Sequence, residues 1–147
     1  MTEEEVIDFL SKSKLFARLG TIDEKEDHNV HPVRYYFDND RIYFETGKNS
    51  KKLETSEREI TFTCIDETNP RYKGVRGKGT VVISDDISRN IPIAEKIIIK
   101  YTGSLDNNMA KFLMDTIKRG ESVIIEILLH FYATWDHSKG TINKNSF

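Results

Sequence analysis

Two strand-like runs, Val30–Phe37 and Arg41–Thr46, stand a short step apart, and the residues between them are Asp38, Asn39 and Asp40. Asn and Asp tolerate left-handed backbone angles, so this spacing predicts an antiparallel hairpin. Four further segments read as strands: Leu15–Ile22, Glu59–Asp66, Tyr72–Ser84 and Ser122–Asp136. Gly74, Gly77 and Gly79 punctuate the third of these and allow bending or the close approach of another backbone. Ser122–Asp136 is apolar on both faces at its start, as expected for a sheet covered on both sides.

Helices are expected at the start of the chain and between the last two strands. Thr2 followed by Glu5 is a capping box, and Val6, Phe9 and Leu10 repeat at helical spacing behind it. Glu3, Glu4 and Glu5 suit the positive end of that helix. Ile87–Tyr101 has a wide apolar face, and Asn108–Arg119 stops at Gly120. Gly47–Ser56 breaks the strand pattern and opens a short helix with Leu53 as its apolar anchor. Asp23–Asn29 is a charged turn, Glu67–Arg71 is a loop around Asn69-Pro70, and the tail over 138–147 reads as polar and loose. Six strands with short connections, plus N-terminal and inserted helices, give a mainly β chain of the α+β class. Their antiparallel order and bending glycines predict a closed or partly closed barrel, which removes exposed sheet edges.

Composition bounds the function. At 147 residues the chain makes one domain over 1–147 with a buried core. Charged residues reach 31% yet leave a net charge of only −2, which argues against a nucleic-acid partner. The single cysteine, Cys64, excludes an intramolecular disulfide framework and a multi-cysteine zinc site, and its strand context reads as a small buried hydrophobe. No apolar stretch is long enough to span a bilayer, and the acidic start lacks the basic region of a signal peptide. A cytoplasmic protein with no membrane partner is the expectation.

Thr46-Gly47-Lys48-Asn49-Ser50-Lys51-Lys52 leaves a strand and enters a helix start. Unpaired N–H groups, hydroxyls of Thr46 and Ser50, and the charge of Lys51 or Lys52 suit a phosphate there. A solvated basic turn capped by Ser50 fits the same spacing. GxxxxGK[ST] is absent. In Arg71–Gly79 the basic Arg76 and Lys78 share one strand face, but only Tyr72 could stack on a base, so a basic rim or a solvated face is favoured over a nucleic-acid platform. His28, His31, His130 and His137 have no ligand spacing, and neither HExxH nor GxSxG occurs. Trp135 reads as a core aromatic or as a ring flanking a planar ligand, and Val33–Phe37 adds flat surface nearby. No general acid or base stands out, although Tyr35, Tyr36 and His31 are possible.

The ordered set FARLGTIDE, HNVHPVRYYFDNDRIYFETGKNSKKLE, ITFTCIDE, YKGVRGKGTVVISDD and VIIEILLHFYATWD resembles the pyridoxamine-phosphate-oxidase-related flavin-binding split β-barrels. The resemblance runs from about Asp8 to Asp136, and its most specific part is Thr46, Ser50, Lys51 and Lys52. It implies a six-stranded antiparallel split barrel, a homodimer with a cofactor at the subunit interface, and FMN as that cofactor. By the same resemblance Thr46, Ser50, Lys51 and Lys52 hold the phosphate, backbone groups of Val33, Arg34 and Tyr35 line the flavin ring, Glu45 lies beside the ribityl chain, and Trp135 of the partner subunit closes the site. The implied activity is hydride transfer to or from a small molecule.

Three departures qualify the resemblance. Asp136-His137-Ser138-Lys139-Gly140 stands where true pyridoxamine-phosphate oxidases carry an Arg-x-His pair, so vitamin B6 oxidation is not expected. Glu45 stands where an aromatic or neutral residue is usual, and its charge would oppose a phosphate unless it points away. The strand YKGVRGKG also resembles relatives that bind the deazaflavin F420, whose acidic tail suits Lys73, Arg76 and Lys78. A non-catalytic barrel that holds flavin or haem is the alternative from another class.

Overall fold

The hairpin is where the barrel closes. In the computed structural model, which describes residues 1–22, 25–50, 59–65, 72–139 and 141–142 (59–65, 139 and 141–142 by backbone alone), the turn between its strands is the pair Asn39-Asp40. Both residues have positive φ, 49° and 60°, as a two-residue hairpin turn of primed type requires. The strands are β1 (Ala17–Ile22), β2 (His28–Val33), β3 (Tyr35–Asp38), β4 (Arg41–Gly47), β5 (Glu59–Ile65), β6 (Lys73–Ser84), β7 (Ser122–Asp136) and β8 (Thr141–Ile142). They follow the order β2-β1-β5-β6-β7-β4-β3, with β8 beside β7. The first and last strands of that order, β2 and β3, are one stretch of chain interrupted only at Arg34.

That interruption departs from the sequence reading of one strand over Val30–Phe37. Val33 pairs with Ala17 of β1, whereas Tyr35 pairs with Phe44 of β4. The chain changes neighbours at Arg34 and thereby joins the two ends of the sheet. All pairings are antiparallel. The described strands number eight because the second expected strand divides and because Thr141–Ile142, in the tail read as loose, pairs with Asp136 and Trp135. His137–Lys139 form a single 3-10 turn before it, anchored by the Ser138 N–H donating to Asp136 Oδ1 at 3.0 Å. The expected helix after Gly47 lies outside the described residues from Lys51 onward, as do Asp66 and the loop to Arg71; Lys48 and Asn49 form a turn.

Among the described residues three α-helices accompany the strands: α1 (Glu3–Lys12), α2 (Ile87–Thr102) and α3 (Asn108–Lys118). The capping box of α1 is made in both directions, Glu5 N–H to Thr2 Oγ1 and Thr2 N–H to Glu5 Oε2, each at 3.2 Å. Asn107 Oδ1 caps α3 by accepting from Ala110 N–H at 2.8 Å. Gly103, with φ of 84°, ends α2 in a left-handed conformation that glycine adopts without a Cβ clash.

Strand alternation sorts the side chains into two cores. Ile42 and Phe44 of β4 and Ile125 and Ile127 of β7 face the barrel interior, where Val6, Phe9 and Leu10 of α1 meet them. On the outer face Ile124 packs under Ala94, Ile97 and Ile98 of α2 and Ala110, Met114 and Ile117 of α3. Both faces of β7 are therefore covered, as its apolar start predicts. Each fully buried Ile or Phe contributes roughly 1.5–3 kcal/mol by leaving water. The outer face also carries Glu126, whose carboxylate is 6% exposed and bound by Arg41 at 2.9 Å and Arg89 at 2.8 Å. The last turn of α2 is tied to the barrel by side chains: Lys100 Nζ donates to Leu10 O and Tyr35 O and sits 3.4 Å from the centroid of the Tyr35 ring.

Candidate functional site

Glu45 lies on β4 between Phe44 and Thr46, and alternation turns it away from the barrel interior toward α3. There it enters a cleft of about 330 Å³ between the barrel and the helical layer. The β2–β3 junction supplies Pro32, Val33 and Arg34, the end of β4 supplies Glu45, Thr46 and Gly47, and the start of β7 supplies Ser122. Ile97 and Ile98 of α2 and Phe112, Leu113 and Thr116 of α3 form the opposite wall, with Phe16 at one side. The volume is at the lower end of the range of small-molecule sites.

The cleft is graded. Phe16, Pro32, Val33, Ile97, Ile98, Phe112 and Leu113 are apolar, whereas the hydroxyls of Thr46, Thr116 and Ser122 and the Glu45 carboxyl gather where β4, β7 and the end of α3 meet. Gly47 pairs with Ser122 there, and a Cβ added to Gly47 would meet nothing within 4 Å. Thr116 Oγ1 lies 3.0 Å from Glu45 Oε1 and 2.7 Å from the carbonyl oxygen of Leu113. Burial pushes the Glu45 carboxyl above its ordinary value, opposed by hydrogen bonds from Thr116 and Ser122 and by the positive charge of Arg34. Arg34 stands at the mouth, its Nη1 3.0 Å from Met109 Sδ and its guanidinium carbon 5.8 Å from the Phe16 ring centroid.

Of the residues expected at a site, the structure brings Val33, Arg34, Glu45 and Thr46 together around one cleft. Glu45 points into it rather than away from it. Tyr35 is fully buried and is not part of the lining: its N–H donates to Tyr101 Oη at 3.2 Å and its carbonyl accepts from Lys100 at 3.2 Å. Ser50 follows the cleft in the chain, its N–H on Gly47 O at 3.0 Å, while Lys51 and Lys52 lie outside the described residues. Trp135 stands near the far end of the 15-residue β7, opposite Gly74 and Ile142, so it does not reach the cleft of its own chain. The sequence reading assigns no site role to the α3 residues or Ser122, because only packing brings α3 against β4.

Lys73 and Arg76 sit at the Trp135 end of β6, opposite Asp136 and Ala133. His130 Nε2 lies 3.1 Å from Thr80 Oγ1, and the His137 ring lies 6.3 Å from the Tyr72 ring, away from the cleft. Among the described residues no group of three or more His, Cys, Asp or Glu could hold a metal ion. No helix among them is long and apolar enough to cross a membrane.

A family model described as pyridoxamine 5'-phosphate oxidase matches residues 2–113. The chain belongs to the pyridoxamine 5'-phosphate oxidase family. Solved structures of this kind share its fold. A conserved hypothetical protein of Mycobacterium tuberculosis is 23% identical, with a TM-score of 0.80 over 97% of this chain and 90% of that one. An F420 reductase is 21% identical, with a TM-score of 0.62 over 86% and 94%. An FAD binding protein of Mycobacterium smegmatis is 11% identical, with a TM-score of 0.60 over 92% and 97%. No curated protein sequence matches this chain. The split-barrel architecture expected from the ordered motifs is thus the architecture found.

Proposed function

We propose that the cleft binds the ring system of FMN and that the protein is a flavin-dependent oxidoreductase acting on a small molecule by hydride transfer. The observation that carries this reading is the grading of the cleft. Its apolar walls suit a flat ring, and its polar end includes Thr46 and Gly47, after which the sequence continues through Ser50, Lys51 and Lys52. A phosphate needs donors and cations, and this run of chain has both. Val33 and Arg34 line the cleft where the chain passes from β2 to β3, and in this reading their main-chain groups offer edge contacts to the ring.

When bound, the flavin supplies the hydride chemistry. This chain's residues bind and orient it: Ile97, Ile98 and Leu113 exclude water from one wall, and the hydroxyls of Thr116 and Ser122 fix the polar end. In this reading the protein acts as a homodimer, and Trp135 of the partner subunit closes the site. F420 is the second reading: Lys73 and Arg76, which suit its acidic tail, sit at the Trp135 end of the sheet and would reach the cleft from the partner subunit, as Trp135 would. Haem follows, since none of the described lining residues is His or Cys.

A visible absorption spectrum of freshly purified protein, with mass analysis of what denaturation releases, tests the reading. Release of FMN supports it. Release of F420 replaces the cofactor, and a colourless protein that takes up neither compound on titration overturns the oxidoreductase assignment.

A further inference from the structure

We propose that the mouth of the cleft receives the reacting small molecule, and that this molecule is a flat, conjugated anion held by Arg34 against the exposed rings of Phe16 and Phe112. The inference rests on the FMN reading above and names the substrate class that reading leaves open. It begins from a contrast within one lining. Ile97 and Ile98 are buried, whereas Phe16 and Phe112 line the same cleft and are 46% and 67% exposed. A bare aromatic ring at the open side of a cavity keeps apolar surface in water, and a ligand that covers it relieves that cost. The buried part of the lining suits the flavin. The exposed rings are left for the second reactant, which has to lie against the flavin to exchange a hydride. Phe16 is held ready for this role: its ring meets Tyr101 edge-on at 5.5 Å, and Tyr101 Oη donates to Leu15 O at 2.7 Å.

Charge selects among flat molecules. The half-buried Arg34 is in contact with both sides of the rim, through the Phe16 ring and through the sulfur of Met109, which is itself exposed. Both partners are electrically neutral, and among the described residues Arg34 forms no ion pair. Glu45 belongs to the same lining but hydrogen-bonds Thr116 at 3.0 Å and lies beyond ion-pair distance of the guanidinium. A thioether is a weak acceptor. Exchanging it for an anionic oxygen gives a charge-assisted hydrogen bond roughly twice as strong as a neutral one, and a carboxylate can take two in parallel from the guanidinium fork. A neutral molecule of the same shape gains only the contact with the rings. The rim therefore favours a ligand with a flat apolar body and an anionic group at one edge.

Two probes test this, 2-naphthoate and its neutral amide 2-naphthamide, added to the whole protein saturated with FMN at about pH 7, where the carboxylate is ionised. Equilibrium dialysis reads their affinity, and a shift of the flavin absorption spectrum reads contact with the ring. Wild type is expected to bind naphthoate at least about tenfold more tightly than naphthamide, with a spectral shift. Arg34→Gln should bring the two probes within about twofold of each other. Phe112→Ala should weaken both about threefold or more while the preference for naphthoate stays. The wild-type and Phe112→Ala measurements stand by themselves if Arg34→Gln does not fold. Equal affinity of the two probes in wild type, an undiminished preference in Arg34→Gln, or no loss in Phe112→Ala overturns the inference. Failure of naphthoate to bind the FMN-loaded protein also overturns it and leaves the exposed rings to a subunit contact, with the FMN reading intact. A wild-type protein that takes up no FMN overturns both.

Discussion

Gly79 of β6 passes so close to Leu128 of β7 that a Cβ on the glycine would meet the Leu128 carbonyl oxygen, with Ile127 Cγ2 only 2.6 Å away. The register between the two strands shifts at Lys78/Gly79, and the irregularity is what brings the backbones together. Gly79→Ala is therefore expected to destabilise the protein by about 2–3 kcal/mol through overpacking against main chain. Urea denaturation of the two proteins measures it, and a midpoint unchanged by the substitution would contradict the close approach.

Glu126 depends on two arginines, and the dependence is unequal. Glu126→Ala leaves Arg41 and Arg89 without their shared carboxylate and should cost about 1–3 kcal/mol, below the value for a wholly buried pair because both arginines are about half exposed. Arg89→Ala should cost less, about 1 kcal/mol, since Arg41 still holds the carboxylate. The same denaturation measurement ranks the two variants, and the reverse order would refute this division of roles.

Glu45 also gives the folded protein a pH dependence. Its carboxyl is held above the ordinary value chiefly by burial, so across the interval between its unfolded and folded values the native state binds more protons than the unfolded state. This contribution is complete below the unfolded value of 4.5 and is lost as pH rises through the folded value. Glu45→Gln removes the loss. The difference in melting temperature, variant minus wild type, should therefore increase between about pH 5 and about pH 8. Thermal melts at the two pH values check the sign.

Trp135 tests the proposed dimer. Within one chain it lies at the other end of β7 from the cleft, so an effect on FMN affinity must come across a subunit interface. Trp135→Ala is expected to weaken FMN binding about tenfold, in the range of loss for a buried aromatic contact, with the protein still dimeric by sedimentation. Unaltered affinity would remove Trp135 from the site.

What was legible in the sequence was local. The turn residues Asn39 and Asp40, the Thr2–Glu5 box and Gly120 after α3 each act through neighbours in the chain, and each is found where its chemistry places it. The near wall of the cleft was legible only through the family resemblance, which names Val33, Arg34, Glu45 and Thr46, all of one hairpin and its entry. Its far wall was not. Phe112 and Leu113 line the cleft and Thr116 reaches Glu45 only because α2 and α3 fold back over β7, and nothing in the spacing of α3 specifies that neighbour. The division at Arg34 escaped for a related reason: both halves of Val30–Phe37 have strand chemistry, and only barrel closure gives them different partners. Tyr35 shows how alternation decides a role, because it turns inward under Lys100 and Tyr101 while Arg34 stands at the cleft.

The most direct test of the cleft as the flavin site uses Gly47, which lines it and has open space where a side chain would go. Gly47→Phe should fill the cleft without disturbing the fold. Fluorescence titration of FMN is expected to saturate with wild type and to show at least about a tenfold loss of affinity with Gly47→Phe, the equivalent of roughly 1.4 kcal/mol, at an unchanged melting temperature. Equal FMN affinity in the two proteins would contradict the assignment of the cleft.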